Sequence, residues 1–258
     1  MTAYLPVPPG PTARPRLFCF PHAGGGTAAY RAWTVALGPD VEVLPVRLPG
    51  RERRIREPRI TDRATLLREL DEHLGPHLRH PYALYGHSLG GLVAHAFAAH
   101  RAGLGDPPRA LLIGACPPPG HGTTLADAAE RGDEELLAEL QRLGGWPAEA
   151  DEHPRWRSLV LRIVRDDLRL GADLRAADPR PLPVPLHVVA GTADRIAGPA
   201  RTAGWSALAG AGCHHHRLEA GHFFQGDPRL FALVRRVLLP GDREREENRP
   251  WTSAFSDR

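Results

Sequence analysis

The sequence predicts an α/β fold: a mostly parallel, doubly wound sheet carrying an inserted helical segment. Three observations point there. Short apolar runs bounded by turn residues alternate with stretches of helical periodicity. The alternation is sustained from about residue 17 to residue 115, which requires crossover connections and hence parallel strands. It then breaks for some sixty residues before it resumes.

Residues 1–15 hold five prolines and read as a loose arm. Leu17–Phe20 is a short apolar run stopped by Pro21, expected to be a strand. The turn His22-Ala-Gly-Gly-Gly follows, then a helical stretch through Leu37. Val41–Val46 reads as a second strand, ended by Leu48-Pro49-Gly50. Between Thr61 and about Leu78, Leu66, Leu67, Leu70 and Leu74 recur at helical spacing, with Thr61 and Asp62 available as cap. Tyr82–Tyr85 is a strand, Leu89–His100 an alanine-rich helix and Ala110–Ala115 a strand.

The break begins at Pro117-Pro-Pro-Gly-His-Gly. Two helical stretches, about Asp133–Leu143 and about Pro154–Leu174, follow with no strand between them. Prolines 179–185 close the segment, so residues 117–180 read as a helical cap, or lid, inserted into one 258-residue domain. Leu186–Ala190 resumes the strand pattern, followed by a helix at Pro199–Leu208, a strand at Cys213–Leu218 and a closing helix at Pro228–Leu238. The polar, charged residues 241–258 read as a disordered tail.

Composition narrows the function classes. A net charge of +3, with 33 basic residues that are all arginine, is too balanced for a nucleic-acid binder. The apolar runs are too short to cross a bilayer, and the amino terminus lacks a signal-type apolar region, so a cytoplasmic protein with no membrane partner is expected. Three widely spaced cysteines imply neither a disulfide framework nor a zinc site. Cys19, in an apolar run, is expected to be buried. The one basic concentration is Arg47, Arg51, Arg53, Arg54, Arg56 and Arg59, which reads as a solvated segment or as a docking patch for an acidic partner.

Gly86-His87-Ser88-Leu89-Gly90 matches Gly-x-Ser-x-Gly between a strand and a helix. This is the context of the nucleophile elbow of an α/β-hydrolase, in which the flanking residues must be small because the turn is sharp. A serine hydroxyl needs a neighbouring base. His222, on a loop between the last strand and the last helix, is the best placed of fourteen histidines. His214, His215 and His216 lie within the strand, where period-two geometry splits their side chains and argues against a metal. Asp194, after Leu186–Ala190, is the expected acid that orients the histidine. Asp166, Asp167 and Asp173 fall in the cap and are poorer candidates. Two backbone N–H groups should form an oxyanion hole. Leu89 is expected to supply one, and Ala23, in the glycine-rich turn, the other. No metal or organic cofactor is required.

These segments resemble the type II thioesterases, the stand-alone editing enzymes of polyketide and nonribosomal peptide synthesis. Phe20-Pro-His-Ala-Gly-Gly25 is similar to that family's FPxAGG loop. Leu48-Pro-Gly-Arg-Glu52 with Arg54 and Glu57-Pro58 resembles its PGRExR…EP segment. Tyr82–Gly90 resembles its elbow, Gly221-His-Phe-Phe224 its GHFF signature, and Glu134–Gly145 part of its cap. The resemblance spans about residues 15–240. The aspartate loop, GTADRIAGP, departs from the pattern by lacking a further acidic residue and a valine.

The resemblance implies an α/β-hydrolase with the triad Ser88, Asp194 and His222 and the hole Ala23 and Leu89. It implies hydrolysis of acyl groups from the phosphopantetheine arm of an acyl- or peptidyl-carrier protein. Carrier proteins are usually acidic, so the arginine cluster becomes a docking candidate. The same triad would equally serve a small-ester esterase or lipase, or a carrier-to-carrier transacylase, and a degenerate hydrolase scaffold would only bind.

Overall fold

Six parallel strands form one sheet in the order β2-β1-β3-β4-β5-β6, in a computed structural model that describes residues 2–239 apart from 12, 79, 80, 123, 148, 149 and 178. The strands are β1 (Arg16–Phe20), β2 (Glu42–Pro45), β3 (Tyr82–His87), β4 (Ala110–Gly114), β5 (Leu186–Gly191) and β6 (Cys213–Leu218). Every pairing is parallel. The expected doubly wound α/β architecture, compatible with an α/β-hydrolase, is therefore present. The tail at 241–258 lies outside the described residues.

Strand order reverses between β1 and β3, so their following loops part to opposite faces and leave a crevice at the carboxyl edge. The inner strands β1, β3 and β4 are buried on both faces. Phe18, Phe20, Leu84, Leu111, Ile113 and Val188 pack on one side with helices α2 (Arg63–Leu74) and α3 (Leu89–Gly103). Leu17, Cys19, Ala83, Tyr85, Leu112 and Val189 pack on the other with α1 (Arg31–Leu37) and the closing helix Pro228–Leu238. Alternate residues of one strand thus feed two cores, the pattern of an internal parallel strand. Cys19 is buried, as expected. Asp62 caps α2 by accepting from the Thr65 N–H at 2.8 Å.

Two parts of the chain differ from the sequence expectation. The proline-rich arm is pinned, not loose. Tyr4 is fully buried, donates to Glu69 Oε2 at 2.6 Å, and lies under the Arg54 guanidinium at 4.1 Å from its ring centre. Single aromatic anchors of this kind carry no periodic signal. The stretch between β4 and β5 holds three helices: α4 (Thr124–Arg131), α5 (Asp133–Arg142) and α6 (Pro154–Ala176). The first, α4, was missed because the Gly132 break leaves it only eight residues. These helices share a core of Ala129, Leu136, Leu137, Leu140, Leu161, Val164 and Leu168, against which Ala23 packs. They therefore roof the crevice. Among the described residues no helix is long and apolar enough to cross a membrane.

The three strand histidines divide as period two requires. His214 and His216 stack on His187 of β5, at 4.8 and 5.5 Å between ring centres, while His215 bonds Ser206 Oγ at 2.8 Å.

His95 of α3 is buried against Trp205, and its Nε2 has no partner. Burial, aided by the nearby positive charge of Arg63, pushes its pKa down to about 4. The unfolded chain then binds a proton that the folded chain does not between about pH 6.5 and about pH 4, so stability falls on acidification across that window. The expected outcome for His95→Phe, which keeps the aromatic contact, is a loss of about 1.4 kcal/mol per pH unit from that slope. Urea unfolding across the window checks it, and an unchanged slope refutes it.

Candidate active site

Ser88 follows β3 and is the N-cap of α3, with φ 53° and ψ −119°. A non-glycine residue at positive φ is strained and persists only where its surroundings over-determine it. Here the surroundings are backbone. A Cβ at Gly86 would lie 1.9 Å from the Gly90 carbonyl oxygen, and one at Gly90 would lie 2.0 Å from the Phe20 carbonyl oxygen. Both glycines are therefore steric requirements of the elbow. The second contact also presses α3 directly against the end of β1. The Ser88 N–H donates to Gly114 O at 2.8 Å, which holds the turn to β4.

Asp194 follows β5 and His222 follows β6. His222 Nδ1 donates to Asp194 Oδ2 at 2.8 Å. The other carboxylate oxygen, Oδ1, accepts from the N–H groups of Ile196 and Ala197 at 2.8 and 3.0 Å. Burial of Asp194 pushes its pKa up, but the bond from His222 and those two N–H groups outweigh it and hold the carboxyl below its ordinary value. With Nδ1–H engaged, Nε2 of His222 is the ring's free acceptor.

His87 joins this pair to the elbow. Its Nε2–H donates to the backbone carbonyl of His222 at 2.8 Å, and its Nδ1 accepts from the Tyr85 hydroxyl at 3.0 Å. Both nitrogens are thus used by a neutral ring. Burial holds its pKa well below the usual histidine value. The residue beside Ser88 therefore fixes the backbone of His222. The sequence signal was present in Gly-His-Ser, but nothing in it showed what the imidazole reaches.

Ala23, Ser88 and Leu89 line one small pocket with Cys116, Ile196 and Gly171. Its volume, about 20 Å³, admits about one water molecule. On the far side of Ala23 lies a groove of about 400 Å³ walled by Gly144, Trp146, Trp156, Val164 and Phe223. A third cavity, about 410 Å³ between α3 and the end of α6, is lined by none of Ser88, Asp194 and His222.

The loop carrying Ala23 is braced from three sides. Asp167 of α6, buried to 1 %, accepts from the Gly24 N–H at 2.7 Å and takes a two-pronged bond from Arg51, at 2.6 and 3.0 Å. The Arg51 guanidinium also donates to Gly25 O at 2.9 Å. Glu52 accepts from the Thr27 N–H at 2.6 Å, and Gln225 Nε2 donates to His22 Nδ1 at 3.1 Å. His22 is pushed down to about pKa 4 by burial, aided by the positive charge of Arg51, so its ring stays neutral. The Leu48–Glu52 segment is thus a brace for the glycine-rich loop.

The arginine cluster is correspondingly not a free basic patch. Arg47 pairs with Glu52, Arg51 with Asp167, Arg54 with Glu57 and Arg59 with Asp166. Only Arg53 and Arg56 of the six are exposed. Asp167, set aside as a catalytic candidate, is the anchor of the brace.

Removing one partner of a buried ion pair strands the other charge, at a cost of roughly 3–5 kcal/mol. Arg51→Met is expected to destabilise the chain by that amount. Adding Asp167→Leu should restore much of the loss, since no charge is then left unpaired. Chemical denaturation of the single and double variants reads both, and a single-variant loss below about 1 kcal/mol contradicts the bracing role.

A thioesterase-domain family model matches residues 15–238. The chain is 36 % identical over 193 residues to the AMB antimetabolite synthetase AmbE of Pseudomonas aeruginosa, which covers 74 % of this chain but only 9 % of AmbE. It is 32 % identical over 232 residues to the linear gramicidin dehydrogenase LgrE of Brevibacillus parabrevis, covering 86 % of this chain and 87 % of LgrE. The solved structure of RedJ, a thioesterase of the prodiginine pathway in Streptomyces coelicolor, superposes with a TM-score of 0.80 at 32 % identity, covering 92 % of this chain and 96 % of RedJ. The type II thioesterase BorB gives a TM-score of 0.79 at 30 % identity, covering 91 % and 96 %. The chain belongs to the thioesterase family of α/β-hydrolases, and it is a serine hydrolase of the type II thioesterase kind.

Proposed function

We propose that the chain hydrolyses acyl groups from the phosphopantetheine arm of acyl- or peptidyl-carrier proteins, clearing misprimed or stalled carriers in the cytoplasm during polyketide or nonribosomal peptide biosynthesis. The observation that carries this reading is the placement of four strand-end loops at the carboxyl edge of one parallel sheet. Ala23 shares a pocket with Ser88, and the Asp194–His222 pair is tied to the residue before Ser88 through His87. In this reading Ser88 is the nucleophile, His222 the base, Asp194 the orienting acid, and the N–H groups of Ala23 and Leu89 the oxyanion donors.

The chemistry proceeds in two steps. Ser88 Oγ attacks the thioester carbonyl while His222 Nε2 takes its proton. The negative charge that develops on the carbonyl oxygen is met by the two N–H groups, and α3 directs its positive end to the same place. Collapse expels the pantetheine sulfur, which leaves as a thiol with the proton from His222. A water then gives its proton to His222 and attacks the acyl-enzyme, releasing the acid and restoring Ser88. Asp194 keeps the imidazole in the Nδ1–H tautomer and stabilises the imidazolium at each stage. The groove beyond Ala23, with Trp146, Trp156 and Phe223 on its walls, suits a slender amide-bearing arm. Helices α4, α5 and α6 act as the lid over it.

Purified enzyme should cleave acyl-loaded carrier proteins and acyl-pantetheine with higher kcat/KM than p-nitrophenyl esters. Ser88→Ala should abolish fluorophosphonate labelling, and Asp194→Asn should lower kcat by roughly 10³–10⁴. Preference for the oxygen esters would make it an esterase, and acyl transfer to a competing carrier thiol a transacylase.

Arg53 and Arg56 are the exposed members of the cluster, so docking is assigned to them. Arg53→Glu with Arg56→Glu should raise KM for an acyl-carrier several-fold and leave KM for acyl-pantetheine unchanged. An equal change in both removes these residues from docking.

A further inference from the structure

Arg175 stands one helical turn beyond Gly171 on α6, and both line the Ser88 pocket. The guanidinium folds back over the bare glycine. A Cβ at Gly171 would lie 3.0 Å from Arg175 Nη1 and 3.3 Å from Leu89 Cδ1. The cation therefore sits beside the residue that follows the nucleophile, in the wall where an acyl group must lie.

Its pairing state sets it apart. Arg47, Arg51, Arg54, Arg59 and Arg101 each meet a carboxylate. Among the described residues no carboxylate pairs with Arg175, whose buried Nε, like those of Arg51 and Arg101, has no hydrogen-bond partner. A half-buried cation without a counter-charge is costly to desolvate, and an incoming anionic or strongly dipolar oxygen offsets that cost. An incoming ammonium adds to it. The desolvation is strong enough to draw the arginine pKa below its ordinary value.

We propose that Arg175 is a specificity residue that sorts acyl groups by charge, favouring a carboxylate a few bonds from the thioester and rejecting an ammonium there. The inference rests on the thioesterase reading above and names the acyl class of that same site. The phosphate of the pantetheine arm is not the partner. The arm runs through the groove on the other side of Ala23, and its phosphate lies many bonds from the carbonyl, whereas Arg175 adjoins Leu89. The guanidinium stands against Leu89, the residue after Ser88, so charge is read close to the reacting carbon.

The test compares malonyl-, butyryl- and β-alanyl-pantetheine, which are similar in length and differ in terminal charge. The wild-type enzyme is expected to rank them malonyl, butyryl, β-alanyl in kcat/KM, with at least tenfold between the extremes. Arg175→Met should compress that span to within about threefold, chiefly by slowing malonyl and quickening β-alanyl. Arg175→Lys, which keeps the charge, should retain the order. An Arg175→Met enzyme with the wild-type span, or one slowed equally on all three, overturns the proposal. So does a wild-type enzyme that hydrolyses all three equally. If no thioester is cleaved and Ser88 takes no fluorophosphonate, the thioesterase reading itself has failed. Raising the salt concentration on the wild-type enzyme offers a variant-free check, because partial screening should narrow the span. A span indifferent to charge screening and to Arg175→Met together leaves the cation no role in selection.

Discussion

The arrangement depends on one close approach, that of the Gly90 backbone at the start of α3 to the carbonyl of Phe20 at the end of β1. No side chain fits between them. That contact presses the positive end of α3 against the crevice where strand order reverses. It also brings the N–H of Leu89 and the loop carrying Ala23 to one pocket. The strain at Ser88 follows from it, because the chain must turn from strand to helix within a single residue. A sharp turn held by backbone contact cannot relax by side-chain rotation. The hydroxyl is thereby presented at a fixed point.

Around that point the polar groups are nearly all committed in pairs. His87 holds the backbone of His222, Asp194 holds its ring, and two N–H groups hold Asp194. Arg51, Asp167 and Glu52 fix the Ala23 loop from beneath the roofing helices. The result is a preorganised site in which histidines 22 and 87 are kept neutral by burial and the nearby charges are balanced by short contacts. Low local dielectric makes such networks stiff when complete. Arg175 is the exception, a charge left open toward the substrate space. Its difference from Arg51, which bonds Gly25 O in the loop carrying Ala23, is the difference between a brace and a reader.

The brace also links the roof to the loop carrying Ala23. Asp167 lies on α6, one of the helices between β4 and β5, yet its carboxylate bonds the Gly24 N–H next to Ala23. Movement of α6 must therefore be felt at the loop carrying Ala23, unless the helix bends beyond Asp167. The roof and the site are mechanically one unit at this place, and the groove walled by Trp156 and Val164 is shaped by the same helix.

Strand and helix periods, the glycines around Ser88 and the order of serine, aspartate and histidine were legible in the sequence, because local sterics and alternation are written residue by residue. So were the segments that mark the family. The roles of Arg51, Asp167, Tyr4 and Arg175 were not. Arginine in a charged run looks alike whether it is solvated, buried against an aspartate 116 positions away, or left without a carboxylate beside the Ser88 pocket. Only tertiary structure sets which charge finds a partner, because pairing depends on distances that sequence separation does not contain. The sequence by itself determined the elements and the chemical types at the strand ends. The fold decided which of those groups are braced and which are left facing the pocket.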